Sequence, residues 1–282
     1  MKPQTDAHQA PFGVLLRRWR QRRRRTQMDF ANASNSSTRH LSYLETGRAQ
    51  PSREMVMRLA ENLDVPLRER NVLLLSAGFA PAYLERSFEE LASARHAIEQ
   101  VVEAHKPYPA FAVDRHWNIV LSNRVLPTLY VDVSSELLRP PVNVVRLVLH
   151  PHGMAPRIVN LSEWRWHVIT VLRQQIEARA EPGVQALLSE IMGYPPVAGA
   201  VVVDVDEGSR RFATPLKIAT EEGVVSFLST TTVFGTPNDI TLSELALEML
   251  FPADPETVAI VRKLTANEDV LKSSEVDLAK AS

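Results

Sequence analysis

Arginines dominate the chemistry that the first part of this chain could perform. Residues 12–53 hold ten arginines against two acidic residues, Asp29 and Glu45, so this segment carries a net charge of +8. The whole 282-residue chain has a net charge of −1, which means that the positive charge is concentrated in one short segment. Guanidinium groups donate hydrogen bonds to phosphates and base edges, and such a local basic patch is typical of nucleic-acid binding. A solvated, charged helix face is the alternative that arginines alone leave open.

Catalytic chemistry has little support elsewhere in the sequence. His150 and His152, with His116 and His167 farther away, could be imagined as a metal site, but Pro151 makes this stretch a loop and no third ligand is defined. Surface or capping histidines are the favoured interpretation. The chain has no cysteine and no P-loop, G-x-G-x-x-G or G-x-S-x-G motif. We therefore expect no enzyme activity, no metal site and no required cofactor.

Length and composition indicate an ordinary globular protein with two domains. The chain is 45% hydrophobic and 23% charged, which excludes wholesale disorder and fibrous repeats. No apolar run approaches the length of a membrane span, and the first ten residues lack the apolar core of a signal peptide. We expect a cytoplasmic protein that binds no membrane.

Helix signals predict five short helices within residues 10–80. The first carries apolar residues at helical spacing from Phe12 to Trp19. Residues suited to start helices follow at Thr26, where Asp29 completes a capping-box-like pattern, and at Ser37, Ser52 and Pro66. Gly47 is suited to end the third helix in a left-handed conformation.

The two central helices have the dimensions of a helix-turn-helix. The stretch TQMDFANASNSSTRHLSYLETGRAQPS (26–52) closely resembles the Cro/XRE type of helix-turn-helix in phage repressors. In the turn, this chain has Asn35 and Ser36 where the family usually has a glycine and a small apolar residue. Asn35 tolerates positive φ, so the turn remains feasible.

In this motif the second helix enters the major groove and reads base edges with its first turn and the residues one turn later. Arg39 is the best candidate for bidentate contact with guanine. Leu41 and Leu44 should point inward, and Glu45 should pair with an arginine of the first helix.

The predicted DNA contacts, to bases or phosphates, are Gln27, Ser37, Thr38, Arg39, Ser42, Tyr43 and Arg48. One such module reads a half-site, so we expect a homodimer on palindromic double-stranded DNA.

The second half of the chain mixes strand and helix signals. Strands are predicted at 111–113, 117–122, 197–205, 210–219 and 224–234, and helices at 142–150, 161–180 (capped by Ser162), 184–192 and 243–250. AFAVDRHWNIVLSN (110–123) and NVVRLVLHP (143–151), with 48–83, resemble the MmyB-like subfamily of XRE regulators. The resemblance implies an α+β protein: an all-α five-helix helix-turn-helix domain (10–80), a helical connector (81–108), a PAS-like α/β sensor domain with an antiparallel sheet (109–265) and a polar tail (266–282).

The same resemblance implies that the sensor domain holds a small apolar effector, with a fatty acid as a plausible class. From the residues alone, core packing is the favoured role for most apolar candidates. Arg146 could clamp a carboxylate, although a pair with an acid or exposure to solvent is the preferred interpretation. The candidate ligand-binding residues are Trp117, Leu121, Leu129, Arg146, Leu147, Trp164, Val168, Val225 and Phe227.

Three hypotheses follow from the sequence. The first is a transcription regulator whose DNA affinity responds to a small molecule. The second is a DNA-binding scaffold whose C-terminal domain only dimerises or binds a protein partner. The third is a DNA-tethered enzyme, which a metal bound at the histidines would support.

Overall fold

Two units make up the part of the chain that the computed structural model describes, which is residues 10–179, 181–195, 214–234 and 237–266. The N-terminal unit runs to Arg86 and also includes residues 237–243. The C-terminal unit contains the remaining described residues. The first unit is rich in short helices and the second combines helices with an antiparallel sheet, so the predicted α+β class is confirmed.

The first five helices begin and end where local sequence signals place them. Thr26 Oγ1 accepts a hydrogen bond from the Asp29 amide at 3.1 Å, and Ser37 and Ser52 cap the next two helices in the same way. Pro66 precedes the last of the five helices, as predicted. The helices are α1 (Phe12–Arg22), α2 (Gln27–Ala33), α3 (Thr38–Glu45), α4 (Arg53–Asn62) and α5 (Leu67–Ser76).

A buried ion pair joins the first and third helices of this unit. Arg20 donates from Nε to Glu45 Oε1 at 2.6 Å and from Nη2 to Oε2 at 2.9 Å. The side chains are only 10% and 2% exposed, respectively. Glu45 raises the pKa of Arg20 by hydrogen bonding to it. The predicted structural role of Glu45 is therefore confirmed, and the pair packs beside the buried leucines Leu16, Leu41 and Leu44.

The C-terminal unit is built on a five-stranded sheet with the order β2-β1-β5-β4-β3, in which every neighbouring pair is antiparallel. The β1–β2 and β3–β4 hairpins lie where the sequence predicts them. The strands are β1 (Ala110–Val113), β2 (Ile119–Ser122), β3 (Leu216–Thr220), β4 (Gly223–Val233) and β5 (Ala246–Pro252).

Helices accompany this sheet along the chain. They are α6 (Ala92–Ala104), α7 (Val144–Leu149), α8 (Leu161–Arg179), α9 (Pro182–Met192), the short α10 (Ile240–Glu244) and α11 (255–266). The buried side chains of α7, α8, α9 and α11 share one apolar core with the sheet, centred on residues such as Leu147, Leu172, Leu187 and Phe227. Among the described residues, no helix is long and apolar enough to cross a membrane.

The structure corrects three local predictions. The helix predicted over 243–250 is wrong, because residues 246–252 form strand β5 and hydrogen-bond to both β1 and β4. Helix α8 starts at Leu161, so Ser162 lies inside it rather than capping it. The helical connector has its helix only from Ala92 onward. Three predicted stretches lie outside the described residues. They are the strand 197–205, the first four residues of the strand 210–219, and residues 267–282 of the polar tail.

Removing the acid of the buried pair should destabilise the N-terminal unit strongly. Glu45→Ala leaves Arg20 buried without its partner, and we expect a loss of about 3–5 kcal/mol in the free energy of unfolding. Hydrogen exchange of the α1 and α3 amides measures this loss in the N-terminal unit alone. Glu85→Ala removes the more exposed ion pair with Arg68 and should cost less than about 1 kcal/mol. Equal losses in the two variants would contradict this assignment.

Candidate DNA-binding surface and ligand cavity

The turn between α2 and α3 depends on one residue in a left-handed conformation. Asn35 has a φ of +49°, which confirms that it takes the place that a glycine usually fills. The Ser36 amide donates to the Ala31 carbonyl oxygen at 2.9 Å, which closes the end of α2. Ser37 then starts α3 directly, so the two helices are joined by a minimal turn.

Helix α3 has one buried and one accessible face. Leu41 and Leu44 are 0% and 1% exposed and belong to the N-terminal core, as predicted. Thr38 and Arg39, in the first turn of the helix, are exposed, while Ser42 and Tyr43 are half-buried. The four predicted base-contacting residues therefore lie at positions that the core leaves accessible.

Arg39 is held in place by its neighbour one turn later. Its Nε donates to the Tyr43 hydroxyl at 3.0 Å, and its Cζ lies 5.5 Å from the centroid of the Tyr43 ring. The hydrogen bond and the cation–π contact together restrict the Arg39 side chain. The hydrogen bond to Tyr43 uses Nε and not the terminal Nη groups. A guanidinium held in this way loses less conformational entropy when it binds a planar pair of acceptors.

The remaining predicted contacts flank α3. Ser37 is the N-cap of this helix and is exposed, and Arg48 is exposed just after Gly47, whose φ is +73°. Gln27 begins α2, but its side-chain nitrogen donates to Glu45 Oε2 at 2.8 Å. That nitrogen is therefore engaged within the protein, and the backbone amide of Gln27 is the group better placed for an outside contact.

The basic segment includes four consecutive arginines, residues 22–25, and the structure gives them different roles. Arg23 donates to the carbonyl oxygens of Leu63 and Asp64, at 2.8 and 2.7 Å, and thereby satisfies the end of α4. Arg24 and Arg25 are exposed. Part of the run is therefore structural, which the charge pattern alone did not reveal.

In the C-terminal unit, a cavity of about 210 Å³ lies between the sheet and helices α7 and α8. This is larger than the roughly 150 Å³ apolar cavity that suffices to hold benzene. Its walls are mostly apolar and include Phe111 of β1, Val145 of α7 and Leu250 of β5. Four of the predicted ligand-binding residues line it: Trp117, Leu129, Trp164 and Val168.

The other five predicted ligand-binding residues do not line the cavity. Leu147, Val225 and Phe227 are fully buried in the core, and Leu121 is half-buried on edge strand β2. Arg146 is partly exposed and forms a bidentate pair with Glu190, with Nη2 and Oε2 at 2.7 Å. Arg146 is therefore paired with an acid, which was the preferred interpretation of the sequence, and it does not line the cavity.

The main polar feature of the cavity wall is Glu248, which sequence reasoning missed. It lies on central strand β5 and is 7% exposed. Ser229 and Thr231 of β4 donate to its two carboxylate oxygens, each at 2.7 Å. Burial raises the pKa of Glu248 above its ordinary value of 4.5, although these two hydrogen bonds act in the opposite direction. A single acid within an otherwise apolar strand is the signal that could have identified it.

Two residues that line the cavity each have a fully buried donor atom without a protein partner among the described residues: the Tyr130 hydroxyl and the indole nitrogen of Trp164. Trp117 differs, because its indole nitrogen donates to Gln175 Oε1 at 2.8 Å. Burial raises the pKa of Tyr130 and lowers the pKa of His167, so both are favoured in their neutral forms. Glu248, with Ser229 and Thr231 beside it, is thus the main polar group of the cavity wall.

The histidines considered as a metal site are dispersed. His150 and His152 have ring centroids 5.5 Å apart, whereas His167 lies on the cavity wall. Within the described ranges, no group of three or more His, Cys, Asp or Glu side chains is arranged to hold a metal ion.

Comparisons with known proteins match both units of the chain. A family model described as the MmyB-like transcription regulator ligand binding domain matches residues 94–264, and a helix-turn-helix domain model matches residues 11–73. The crystal structure of the clp gene regulator ClgR from Corynebacterium glutamicum is similar at 26% identity over 37% of this chain and 99% of that chain, with a TM-score of 0.22. No curated protein sequence matches the chain significantly.

Replacing Glu248 should change how stability depends on pH. Because the folded chain disfavours the ionised carboxylate, its stability falls relative to Glu248→Gln as pH rises above about 4.5, until the raised pKa is passed. The difference then stays constant. Thermal unfolding of both proteins between about pH 4 and pH 8 measures it. The exposed Glu89→Gln variant is the control and should run parallel to the wild type. A Glu248→Gln curve that is also parallel would contradict the effect.

Proposed function

The chain belongs to the MmyB-like transcription regulators, and we propose that it binds operator DNA through α3 and adjusts this binding to an apolar small molecule held in the C-terminal cavity. The two family matches indicate a transcription regulator with a helix-turn-helix domain and a ligand-binding domain. On this proposal the protein is a cytoplasmic, nucleoid-associated regulator and not an enzyme.

The observation that carries the DNA proposal is the two-faced arrangement of α3. Its leucines fill the core while Thr38 and Arg39 remain exposed in the first turn, the part of a recognition helix that meets base edges. The Arg39 guanidinium suits the O6 and N7 acceptors of guanine, and the Thr38 methyl suits a thymine methyl. Ser42 and Tyr43 lie one turn later, and Ser37, Arg48 and the amide of Gln27 would contact phosphates.

We propose that two chains bind one palindromic operator. A single α3 spans only a few base pairs of the major groove, so one module yields limited affinity and specificity. Two-fold pairing of chains matches two half-sites and doubles both the base and the phosphate contacts.

The apolar cavity supports a ligand over the scaffold alternative. A scaffold or dimerisation domain has no need of a cavity, and a void of this size costs packing energy when it is empty. The cavity lies between an antiparallel sheet and helices, an arrangement consistent with the PAS-like description that the resemblance implies. A fatty acid is one candidate class, because a medium-length hydrocarbon chain would cover the apolar walls.

Regulation requires that the ligand bind more tightly to one of two states of the protein, one of which fits the operator. Ligand binding and operator binding are then linked with the same coupling free energy in both directions. This requirement distinguishes a sensor from a protein that merely encloses a lipid.

Arg39→Ala should weaken recognition at one base position of each half-site by about 1–3 kcal/mol. The fold should stay intact, because Arg39 is exposed and both its hydrogen bond and its cation–π contact are with Tyr43 on its own helix. Selection of duplexes from a random pool, followed by affinity measurements on single-base variants, provides the test. Arg58→Ala, at an exposed position of α4, is the matched control and should keep the sequence preference. An unchanged preference for Arg39→Ala would refute its role in base recognition.

Filling the cavity should abolish ligand retention. In native mass spectrometry of the chain purified from bacterial cells, we expect a retained small molecule on the wild type and none on Val168→Trp, whose indole occupies the cavity. Val224→Trp places the same side chain at an exposed position of β4 and should retain the molecule. A wild-type chain without a retained molecule, and with DNA affinity unaffected by apolar compounds, would favour the scaffold function instead.

A further inference from the structure

The N-terminal unit includes a segment from a distant part of the sequence. Residues 237–243 follow β4 and precede β5, the strands that contribute Thr231 and Glu248 to the cavity wall, but they belong to the N-terminal unit. Helix α10 starts within this segment and ends at Glu244, which belongs to the C-terminal unit. The backbone of one short helix is therefore shared by the two units.

The start of α10 is fastened to the last residues of the N-terminal stretch. Asp239, which is 2% exposed, accepts from Arg86 Nε at 3.0 Å. The Ile240 amide donates to the Leu84 carbonyl oxygen at 2.9 Å, and the Thr241 hydroxyl donates to the Arg86 carbonyl oxygen at 2.5 Å. Together these five residues form a clamp, whose ion pair joins positions 153 residues apart in the chain.

The stretch that the clamp holds is also fixed to α5. The Asn71 side chain, 9% exposed, donates to the Tyr83 carbonyl oxygen at 2.8 Å and accepts from the Tyr83 amide at 3.1 Å. Arg68 of α5 forms a bidentate pair with Glu85. Because α5 contributes buried leucines to the N-terminal core, a displacement of residues 84–86 would act on that core.

The end of α10 is held by a polar network that reaches the cavity wall. Arg115, in the β1–β2 turn, lies 3.8 Å from Glu244 and 3.6 Å from Glu181. Gln175 of α8 donates to the Arg115 carbonyl oxygen at 2.7 Å and to Glu181 at 3.1 Å. Gln175 also accepts the indole N–H of Trp117, which lines the cavity. A continuous series of contacts therefore runs from the cavity wall to the last residue of α10.

We infer that α10 transmits the state of the cavity to the N-terminal unit. A ligand that displaces Trp117 acts on Glu244 through Arg115, and Asp239 at the other end of the helix passes the displacement to Arg86. This inference rests on the proposed ligand-sensing function and identifies its regulation. Its physical requirement is that α10 has two arrangements, which the ligand and the operator favour unequally.

Two substitutions interrupt the two ends of α10 without changing the cavity wall or α3. Arg86→Gln removes the ion pair of the clamp at a position where the arginine side chain is 49% exposed. Glu244→Gln removes the pair with Arg115 and nearly preserves the shape of the side chain. Arg95→Gln is the matched control, because it removes a comparably exposed arginine ion pair, the one with Glu99 on α6.

Operator affinity of the full chain is measured on a duplex selected from a random pool, with and without saturating decanoate as the cavity probe. In the wild type we expect decanoate to change this affinity by about fivefold or more. In Arg86→Gln and in Glu244→Gln the change should fall below about twofold, while decanoate affinity and decanoate-free operator affinity each stay within about twofold of the wild type. Combining both substitutions should cause no further loss, because they interrupt one path. Arg95→Gln should respond like the wild type.

The Ile240 amide reports on the clamp without DNA, because it donates to the Leu84 carbonyl oxygen within it. We expect decanoate to change the hydrogen-exchange rate of this amide in the wild type. The rate should not respond in Glu244→Gln, where the network no longer holds α10. It should also not respond in Val168→Trp, whose indole occupies the cavity.

The outcomes separate the role of α10 from the function on which it rests. Decanoate that changes operator affinity equally in the wild type and in both end variants would overturn the role of α10 while supporting ligand sensing. An Ile240 exchange rate that responds in Glu244→Gln as in the wild type would overturn the role of the Arg115 pair. Wild-type operator affinity that decanoate leaves unchanged would overturn the ligand-sensing proposal together with the inference.

Discussion

The bidentate contact between Arg20 and Glu45 determines how helix α3 is held. It links α1 to the last residue of α3, and Gln27 at the start of α2 donates to the same carboxylate. A buried carboxylate with hydrogen bonds to both oxygens tolerates little displacement, because losing one contact leaves charge buried without compensation. The three helices are therefore held together at one point, and Thr38 and Arg39 remain exposed in the first turn of α3.

A comparable constraint shapes the C-terminal unit. Strand β5 lies at the centre of the sheet, and its Glu248 is opposite Phe111 of β1 on one side and Thr231 of β4 on the other. Ser229, Thr231 and Glu248 all line the cavity, and Thr231 is also exposed to solvent. The cavity thus borders the polar part of this region of the sheet.

The N-terminal unit has a charged, solvent-facing surface, and the C-terminal unit has a weakly polar cavity. The first suits a polyanion, which keeps its counterions and water until binding releases them. The second suits a molecule that leaves water readily and needs few hydrogen bonds in return. The net charge of −1 conceals the basic segment, because the rest of the chain offsets the +8 of residues 12–53.

Sequence by itself determined the features that depend on residues a few positions apart. The caps at Thr26, Ser37 and Ser52, the left-handed Asn35 and Gly47, and the inward leucines of α3 follow from local hydrogen bonding, backbone sterics and helical periodicity. Other features could be identified only from the folded chain. They are the partners of Arg23 and Arg146, the strand formed by residues 246–252 and the position of Glu248 on the cavity wall. Those outcomes depend on contacts between distant parts of the chain, where strand pairing and burial override local preference.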